Sequence, residues 1–185
     1  MSEPSLPEKI LAVHRGLAAV RIAHAFGGAL ALAYYAEPRA TIDVDVNIFL
    51  APARYAAVDA VLTQLGAEPI EERALQRDGQ VRCAWGRTPI DLFFAYDEIH
   101  RAMRRHTRTV PFGEDRIPIL SPEHLLVCKA LFDRPKDWLD IEQILICSED
   151  IDTEEIRSWL ERAVGPDDRR RARFEELALT LCDPP

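Results

Sequence analysis

Two aspartates at alternate positions of an apolar segment are the residues of this sequence best suited to chemistry. Asp43 and Asp45 lie in the segment Thr41–Phe49, where hydrophobic residues alternate with them. In a strand, both carboxylates would share one face, about 7 Å apart along the backbone. Like charges so placed repel one another unless a cation neutralises them, and hard oxygen ligands of this kind suit Mg²⁺. The pattern favours a metal site; its alternative is an exposed sheet edge with solvated acids.

Two further motifs could complete such a site. Gly27-Gly28 stands before a helix-favouring run, where a turn would let phosphate oxygens approach backbone N–H groups at the start of a helix. Asp91 is an acid in the otherwise apolar segment Ile90–Phe94. Three carboxylates can hold two metal ions about 3.5–4 Å apart, one at the attacking oxygen and one at the leaving phosphate. The alternatives are a mere tight turn for the glycine pair and a surface edge for Asp91.

The elements that must position these residues are predicted from hydrophobic periodicity and turn residues. An amphipathic helix is expected over about 6–20, followed by a strand, the glycine turn and a helix that ends at Glu37-Pro38, because the residue before proline avoids the helical conformation. The elements expected next are a strand at 41–49, a helix from Pro52 to Gly66, strands at 81–85 and 90–94, a short helix at 97–105 and an extended segment at 116–119.

From Ser121 onward the sequence is predicted to be helical. Ser121-Pro122 has the form of a helix start, with a capping hydroxyl and a proline at the first helical position. This helix is expected to end near Asp133-Arg134-Pro135, and further helices are expected over about 136–146, 153–164 and 167–181. The predicted fold is α/β (or α+β), with a small mixed-sheet core flanked by helices over 1–120 and a helical C-terminal region over 121–185 packed on it.

Charge and cysteine usage limit the function classes. The 23 Lys and Arg against 31 Asp and Glu give a net charge of −8, so no overall basic surface for nucleic acid is expected, and an acidic surface suits a cationic substrate. Two basic clusters are each interpreted as a solvated helix face: Arg101, Arg104, Arg105, His106 and Arg108, and then Arg169, Arg170, Arg171 and Arg173. The four cysteines (Cys83, Cys128, Cys147 and Cys182) lack metal-ligand spacing, which is typical of isolated thiols in a reducing compartment.

No signal peptide or membrane span is expected. The N-terminus has no basic region followed by an uninterrupted apolar stretch, and the longest apolar run, Ala25–Ala36, is shorter than the roughly 20 residues that span a bilayer. The sequence also lacks the motifs GxGxxG, GxxxxGK[ST], GxSxG and HExxH, so the enzyme classes built on them are disfavoured. A cytoplasmic protein without a membrane partner is predicted.

The order of the motifs resembles a known group of enzymes. Phe26–Leu30, Arg39–Val46 and Ile90–Phe93 are similar to the glycine pair, the Asp-x-Asp strand and the third acidic strand of the DNA polymerase β nucleotidyltransferase superfamily. Within it, the pattern most resembles the minimal and AbiEii-type nucleotidyltransferases, whose lysine helix and Arg-x-Lys-Asp-x-x-Asp element are similar to Leu120–Lys129 and Arg134–Ile141. The resemblance covers roughly residues 20–146.

The resemblance implies roles for the acids and the glycines. It makes Asp43 and Asp45 metal ligands, and it makes Asp91 a third ligand or the general base for an attacking hydroxyl. Gly27 and Gly28 would cradle the triphosphate of an NTP substrate. The implied cofactor is Mg²⁺, in a site that could hold two ions.

Four other residues take roles from the same resemblance. Arg39 and Thr41 stand just before the Asp-x-Asp pair and would bind the nucleotide, and Lys129 would reach a phosphate. Asp137 is carried over as a catalytic acid, with the alternative that it is simply an acid favoured by the positive end of a helix dipole. The alternative for Lys129 is a surface lysine whose aliphatic stem packs along the protein.

Two hypotheses of function follow. The first is a Mg²⁺-dependent nucleotidyltransferase that moves a nucleoside monophosphate from an NTP to a hydroxyl of a tRNA, a protein or an aminoglycoside-like small molecule. The family resemblance adds a toxin–antitoxin role, with an antitoxin or a second copy of the chain as partner. The second is a non-catalytic nucleotidyltransferase-like binding domain, because Ala29–Ala33 offers no hydroxyl where family members often place Ser or Thr after the glycine pair.

Overall fold

The computed structural model describes residues 3–73, 75, 79–148 and 150–181. The chain divides into two compact units, the first made of Met1–Leu30 and Ala40–Leu120 and the second of Ala31–Arg39 and Ser121–Pro185. The second unit therefore includes a short segment from the N-terminal half, in addition to the C-terminal region. Cys83, Cys128 and Cys147 are free thiols, and Cys182 lies outside the described residues.

The first unit is built around a mixed β-sheet, as the sequence predicts. Six strands are found in the described part of this unit: β1 His24–Phe26, β2 Val44–Ile48, β3 Gln80–Trp85, β4 Thr88–Phe94, β5 Arg108–Phe112 and β6 Asp115–Ile119. Their order across the sheet is β3-β4-β2-β1-β6-β5. The pairs β2–β4 and β1–β6 are parallel, and the other neighbours are antiparallel. The central strand β2 therefore has β4 on one side and β1 on the other.

Helices α1 (Leu6–Ala19), α3 (Tyr55–Leu65) and α4 (Glu98–Arg105) belong to the first unit, and α2 (Gly28–Leu32) begins there. The inner stripe of α1 is fully buried at Val13 and Leu17. Helices α1 and α3 approach so closely that a Cβ atom at Gly16 would lie 2.8 Å from Cγ1 of Val61. The strict apolar spacing of both helices is thus explained by dense packing.

A buried lysine joins α1 to the hairpin formed by β3 and β4. Lys9 is 1% exposed, and its Nζ atom donates to the backbone carbonyl of Trp85 at 2.6 Å and to the hydroxyl of Thr88 at 2.9 Å. The same atom bonds the carboxylate of Glu3 at 2.5 Å, which lowers the pKa of Glu3 to about 2. A buried charge is tolerated only when it is paired in this way. The contact holds the hairpin against α1.

The second unit is helical, as predicted. Its helices are α5 Pro122–Phe132, α6 Pro135–Cys147, α7 Thr153–Val164 and α8 Arg169–Leu181. The hydroxyl of Ser121 accepts a hydrogen bond from the backbone of His124, and Pro122 takes the first helical position, so the predicted helix start is confirmed. Leu126, Ile144, Leu160 and Phe174 are fully buried in the core of this unit.

Four local predictions differ from the structure. The helix expected to end at Glu37-Pro38 ends already at Leu32, and turns follow it. The strand expected from Thr41 begins only at Val44, because its ladder with β4 begins there, and Ile42 is 69% exposed. A 3₁₀ turn at Pro52–Arg54 precedes α3, so proline does not open the α-helix itself. Strand β5 was not predicted, and Arg108 lies in it rather than on a helix. It is an edge strand with mostly exposed residues, so it has no hydrophobic alternation to identify it.

Over the described residues, none of the helices combines the length and apolarity that crossing a bilayer requires.

We expect the substitution Lys9→Met to lower the free energy of unfolding by about 1–3 kcal/mol, since it leaves the Trp85 carbonyl and the Thr88 hydroxyl without their buried donor. Urea denaturation measures the loss. The matched control is Lys136→Met on the exposed surface of α6, which should change stability by less than about 0.5 kcal/mol. Equal effects of the two substitutions would contradict the structural role of Lys9.

Candidate functional site

A row of charged residues crosses three neighbouring strands of the first unit. Asp45 of β2 lies in register with Asp91 of β4, and Asp91 lies in register with Arg82 of β3. Residues directly opposite one another in a sheet point to the same face, and neighbouring strands are about 4.8 Å apart. The two carboxylates and the guanidinium therefore share one face of the sheet.

The opposite face of the same strands is part of the core. Val44 and Val46 of β2, and Ile90 and Leu92 of β4, are all 0–1% exposed. Because side chains alternate along a strand, the acids between them must point the other way. The side chain of Asp91 is 19% exposed and that of Asp43 is 35% exposed. The acids are thus accessible from solvent yet held on strands whose other face is fixed by packing.

Arg82 is the cation of this cluster. Its Nε and Nη2 atoms each donate to one carboxylate oxygen of Asp91 at 2.7 Å, and Nη2 lies 4.0 Å from Oδ2 of Asp43. The hydrogen bonds to Asp91 are the largest of the effects that raise the pKa of the Arg82 guanidinium, and the charges of all three carboxylates act in the same direction. One positive side chain therefore faces three negative ones.

The glycine pair lies directly beside Asp45. The backbone N–H of Gly27 donates to the carbonyl of Asp45 at 3.0 Å. Gly28 has a positive φ of 54°, and a Cβ atom there would lie 1.8 Å from Oδ2 of Asp45. Glycine at 28 is thus required twice, by its backbone conformation and by the position of the Asp45 carboxylate. The interpretation of this pair as only a tight turn is insufficient, since the second glycine makes room for an acid of the site.

Thr41 contacts the chain next to Asp43. Its hydroxyl accepts a hydrogen bond from the backbone N–H of Asp43 at 3.2 Å. This bond fixes the backbone just before β2 begins, where the ladder of the sheet does not yet hold it. Thr41 therefore supports the position of the first acid, and its predicted contact with a nucleotide remains a prediction.

Lys129 and Arg39 meet in the second unit at one carboxylate. The Nζ atom of Lys129 donates to Oδ2 of Asp140 at 2.5 Å, and Arg39 donates to both oxygens of Asp140 at 3.1 Å. Burial by itself raises the pKa of Asp140, but the hydrogen bonds and charges of the two cations outweigh it and hold that pKa below its ordinary value. Lys129 is 4% exposed, so its interpretation as a surface lysine is wrong.

Asp137 occupies a separate position in the same unit. It is 1% exposed, and its carboxylate bonds the guanidinium of Arg134 at 2.5 and 3.1 Å and the backbone N–H of Arg134 at 3.3 Å. This arrangement caps the start of α6. Lys129 bonds Asp140, which lies three residues after Asp137 on α6, and the carboxylate of Asp137 bonds Arg134 instead. The catalytic role predicted for Asp137 remains a prediction.

Sequence reasoning did not select Arg82 or Asp140. A signal for Arg82 was available: the two-residue turn Gly86-Arg87 sets Trp85 opposite Thr88, and this register places Arg82 opposite Asp91. A turn of four residues was predicted instead, which hides the pairing. Asp137 and Asp140 are three residues apart and so lie on the same face of a helix, and periodicity alone does not tell which of the two meets Lys129.

The acids beside the glycine pair offer oxygen ligands to a divalent cation. Asp43, Asp45 and Asp91 offer six carboxylate oxygens on one face of the sheet, and hard oxygen donors of this kind match Mg²⁺ or Mn²⁺. The cluster already attracts one cationic side chain, Arg82, which shows that its field favours positive charge. The chemistry of these donors agrees with the metal that the sequence predicts, and the metal site itself remains a prediction.

The chain belongs to the AbiEii family of nucleotidyltransferases. The sequence profile of this family, described as "Nucleotidyl transferase AbiEii toxin, Type IV TA system", matches residues 9–183. No curated protein sequence matches the chain. The membership confirms the predicted resemblance and the prediction of a nucleotidyltransferase.

Solved structures of other nucleotidyltransferases share the fold. The antibiotic-resistance factor ANT(2'')-Ia has a TM-score of 0.64 at 15% identity, covering 97% of this chain and 98% of that chain. The lincosamide antibiotic adenylyltransferase LnuA, with lincomycin bound, has a TM-score of 0.56 at 12% identity, covering 80% and 100%. An antigenic nucleotidyltransferase-like protein from Paracoccidioides brasiliensis has a TM-score of 0.50 at 18% identity, covering 95% and 92%. The predicted fold class is confirmed.

The requirement for glycine at 28 is testable with a matched glycine of the same backbone conformation. Gly113 has a φ of 61°, and a Cβ atom there would meet nothing within 4 Å. Gly113→Ala should therefore lower the free energy of unfolding by about 1–2 kcal/mol, the cost of the left-handed conformation alone. Gly28→Ala should cost at least about 1 kcal/mol more, since the new methyl group overlaps the Asp45 carboxylate.

Urea denaturation of both variants measures this difference. Equal losses of stability would mean that the Asp45 carboxylate moves aside freely, and that its contact with Gly28 does not constrain the site.

Proposed function

We propose that this chain transfers a nucleoside monophosphate from an NTP to the hydroxyl group of a small-molecule acceptor, with a divalent cation held by Asp43, Asp45 and Asp91. The observation that carries the proposal is the register of β2 and β4, which sets Asp45 beside Asp91 next to the glycine pair. Family membership supports nucleotidyl transfer as the reaction class.

The proposed reaction is an attack of the acceptor hydroxyl on the NTP, in which the carboxylates of the first unit take part. The oxygen of the acceptor hydroxyl attacks the α-phosphorus of the NTP, the bond to the bridging oxygen breaks, and pyrophosphate leaves with that electron pair. The proton of the attacking hydroxyl is assigned to a carboxylate oxygen of Asp91 that the metal ion does not bind. A divalent ion bound to the carboxylates would offset the negative charge that develops on the phosphate oxygens.

Gly27 and Gly28 are assigned to the triphosphate. The N–H of Gly27 is already bonded to the carbonyl of Asp45, so the donor assigned to a phosphate oxygen is the N–H of Gly28 at the start of α2, where the absence of a side chain lets the ligand approach. This arrangement does not need the hydroxyl that other family members often have after the glycine pair, because backbone donors can bind phosphate directly. The alternative of a non-catalytic domain rests only on that missing hydroxyl.

A small cationic acceptor is favoured by charge and by the similar structures. The chain carries a net charge of −8, and a negative surface attracts cations. One structural neighbour was solved in complex with adenylyl-2''-tobramycin and another with lincomycin bound. Both of those proteins act on antibiotics, and we extend the class of acceptor, though not its identity, to this chain.

A tRNA acceptor is the second candidate, and one observation favours it. Arg101, Arg104 and Arg105 are exposed on α4, and the exposed Arg108 follows in β5. Of these, Arg101 is paired with the exposed Glu98. A cluster of this kind could bind phosphates of a nucleic acid.

The proposal predicts that Asp45→Asn will reduce transfer by about a hundredfold or more, because stabilisation of phosphate charge is worth several kcal/mol and each 1.4 kcal/mol is about tenfold. The assay follows label from α-phosphate-labelled NTPs onto a panel of aminoglycosides, lincosamides and tRNA with Mg²⁺ present. The control is Asp115→Asn. Asp115 lies on β6 and pairs with Arg15 of α1, so its loss should leave transfer unchanged.

Three results would overturn parts of the proposal. Transfer only to tRNA would reject the small-molecule acceptor and keep the reaction. Binding of Mg²⁺ and NTP without transfer to any acceptor would favour the non-catalytic alternative. An Asp45→Asn variant as active as the wild type would reject the carboxylate site.

A further inference from the structure

We infer that Arg82 is an internal counter-cation of the carboxylate cluster Asp43, Asp45 and Asp91, which occupies Asp91 in the free protein and must release it when a divalent cation binds. Arg82 thereby sets how tightly the free protein holds metal. The inference rests on the proposed function, because it concerns the metal site of that reaction, and it adds a residue that neither the motifs nor the family resemblance assigns.

The first argument is the geometry of the pair. Arg82 and Asp91 are opposite one another on β3 and β4, and both carboxylate oxygens of Asp91 accept a hydrogen bond at 2.7 Å. Two parallel N–H···O bonds from a planar guanidinium are the strongest form of ion pair between side chains. The guanidinium thus takes one lone-pair direction on each oxygen, and a metal ion that approaches Asp91 from that side meets it.

The second argument is the reach of Arg82 beyond Asp91. Its Nη2 atom lies 4.0 Å from Oδ2 of Asp43, so the guanidinium sits between two of the three acids. A cation that binds these acids from the same side meets the guanidinium first, and two positive charges at such a distance repel each other. The two cations compete, and by linkage each weakens the binding of the other.

The third argument is that Arg82 can move and Asp91 cannot. The side chain of Arg82 is 61% exposed, whereas that of Asp91 is 19% exposed. Arg82 lies on β3, which is an edge strand of the sheet, while Asp91 lies on β4 between two strands. Water can solvate the exposed guanidinium once it leaves Asp91, which offsets part of the energy of the two hydrogen bonds. The guanidinium can therefore turn into solvent and leave Asp91 in place for the metal.

The net charge of the site shows why such a residue matters. Arg82 contributes one positive charge close to Asp91 and Asp43. Its removal makes the surroundings of these acids more negative by one charge, and the acids would then bind a metal more tightly even with no nucleotide present. Arg82 thus keeps the empty site from holding metal strongly until the triphosphate brings further negative charge.

The test is the affinity of the full chain for Mn²⁺ in the absence of nucleotide. It is measured by calorimetry and by the loss of the electron paramagnetic resonance signal of free Mn²⁺. Arg82→Gln should bind Mn²⁺ about tenfold more tightly than the wild type, the effect of removing one charge roughly 6 Å from a divalent ion in a high-dielectric environment. The difference should shrink as ionic strength rises, because both charges are exposed to solvent. Arg82→Lys keeps the charge and loses the paired hydrogen bonds, so its Mn²⁺ affinity should lie between those of the wild type and of Arg82→Gln.

Arg15→Gln is the matched control. Arg15 is 64% exposed and forms an ion pair with Asp115 in the same unit, so the substitution removes the same charge at a similar exposure, away from the acids. It should leave the Mn²⁺ affinity unchanged. Thermal unfolding of each variant verifies that the chain is folded. We expect both variants to fold, because both arginine side chains are mostly exposed.

The outcomes separate this inference from the proposed function. If the wild type binds Mn²⁺ and Arg82→Gln binds it equally or more weakly, the inference is overturned and the metal site stands. If an Asp43→Asn/Asp45→Asn double variant binds Mn²⁺ as well as the wild type does, the metal site itself is rejected and the inference falls with it. If Arg15→Gln gains as much affinity as Arg82→Gln, the effect is one of overall charge and the inference is overturned.

Discussion

The parallel pairing of β2 with β4 is the constraint on which the site of the first unit depends. It places Asp45 beside Asp91 at the spacing of neighbouring strands, about 4.8 Å, and Asp43 precedes them at the same end of the sheet. The other face of both strands is buried apolar surface. A shift of register by one residue would drive the acids into the core, so hydrophobic packing determines where the negative charge gathers.

The features around the acids follow from that concentration of charge. Gly28 lacks a side chain because the Asp45 carboxylate takes the space that a Cβ atom would fill. Arg82 lies opposite Asp91 because three carboxylates on one face repel one another unless positive charge is near. Lys9 holds the hairpin of β3 and β4, which carries Arg82 and Asp91, through its buried contacts with Trp85 and Thr88. A core lysine thus contributes to the position of a surface cluster.

The second unit contains an ionic cluster of a different kind. Asp140, Lys129 and Arg39 join α6, α5 and the segment 31–39, and the first two are almost fully buried. Charges are buried at such a position only when each has a partner, since an unpaired one would lose its hydration without compensation. The same segment contacts the helices a second time, through the hydroxyl of Ser148 and the carbonyl of Tyr35 at 3.3 Å. Segment 31–39 is thus attached to the helical unit by polar contacts.

The sequence by itself determined the reaction class and most of the elements. Alternation in 43–48 identified the acid-bearing strand, Ser121-Pro122 identified a helix start, and the order of the glycine pair and three acids identified the family, because these are properties of neighbouring residues. What only the tertiary structure decided are contacts between distant ones: Arg82 on Asp91, Asp140 rather than Asp137 as the partner of Lys129, and β5 as a sheet edge. Helix packing selects the partner of Lys129, and no local pattern encodes that choice, whereas the pairing of Arg82 with Asp91 depends on the length of the turn between β3 and β4.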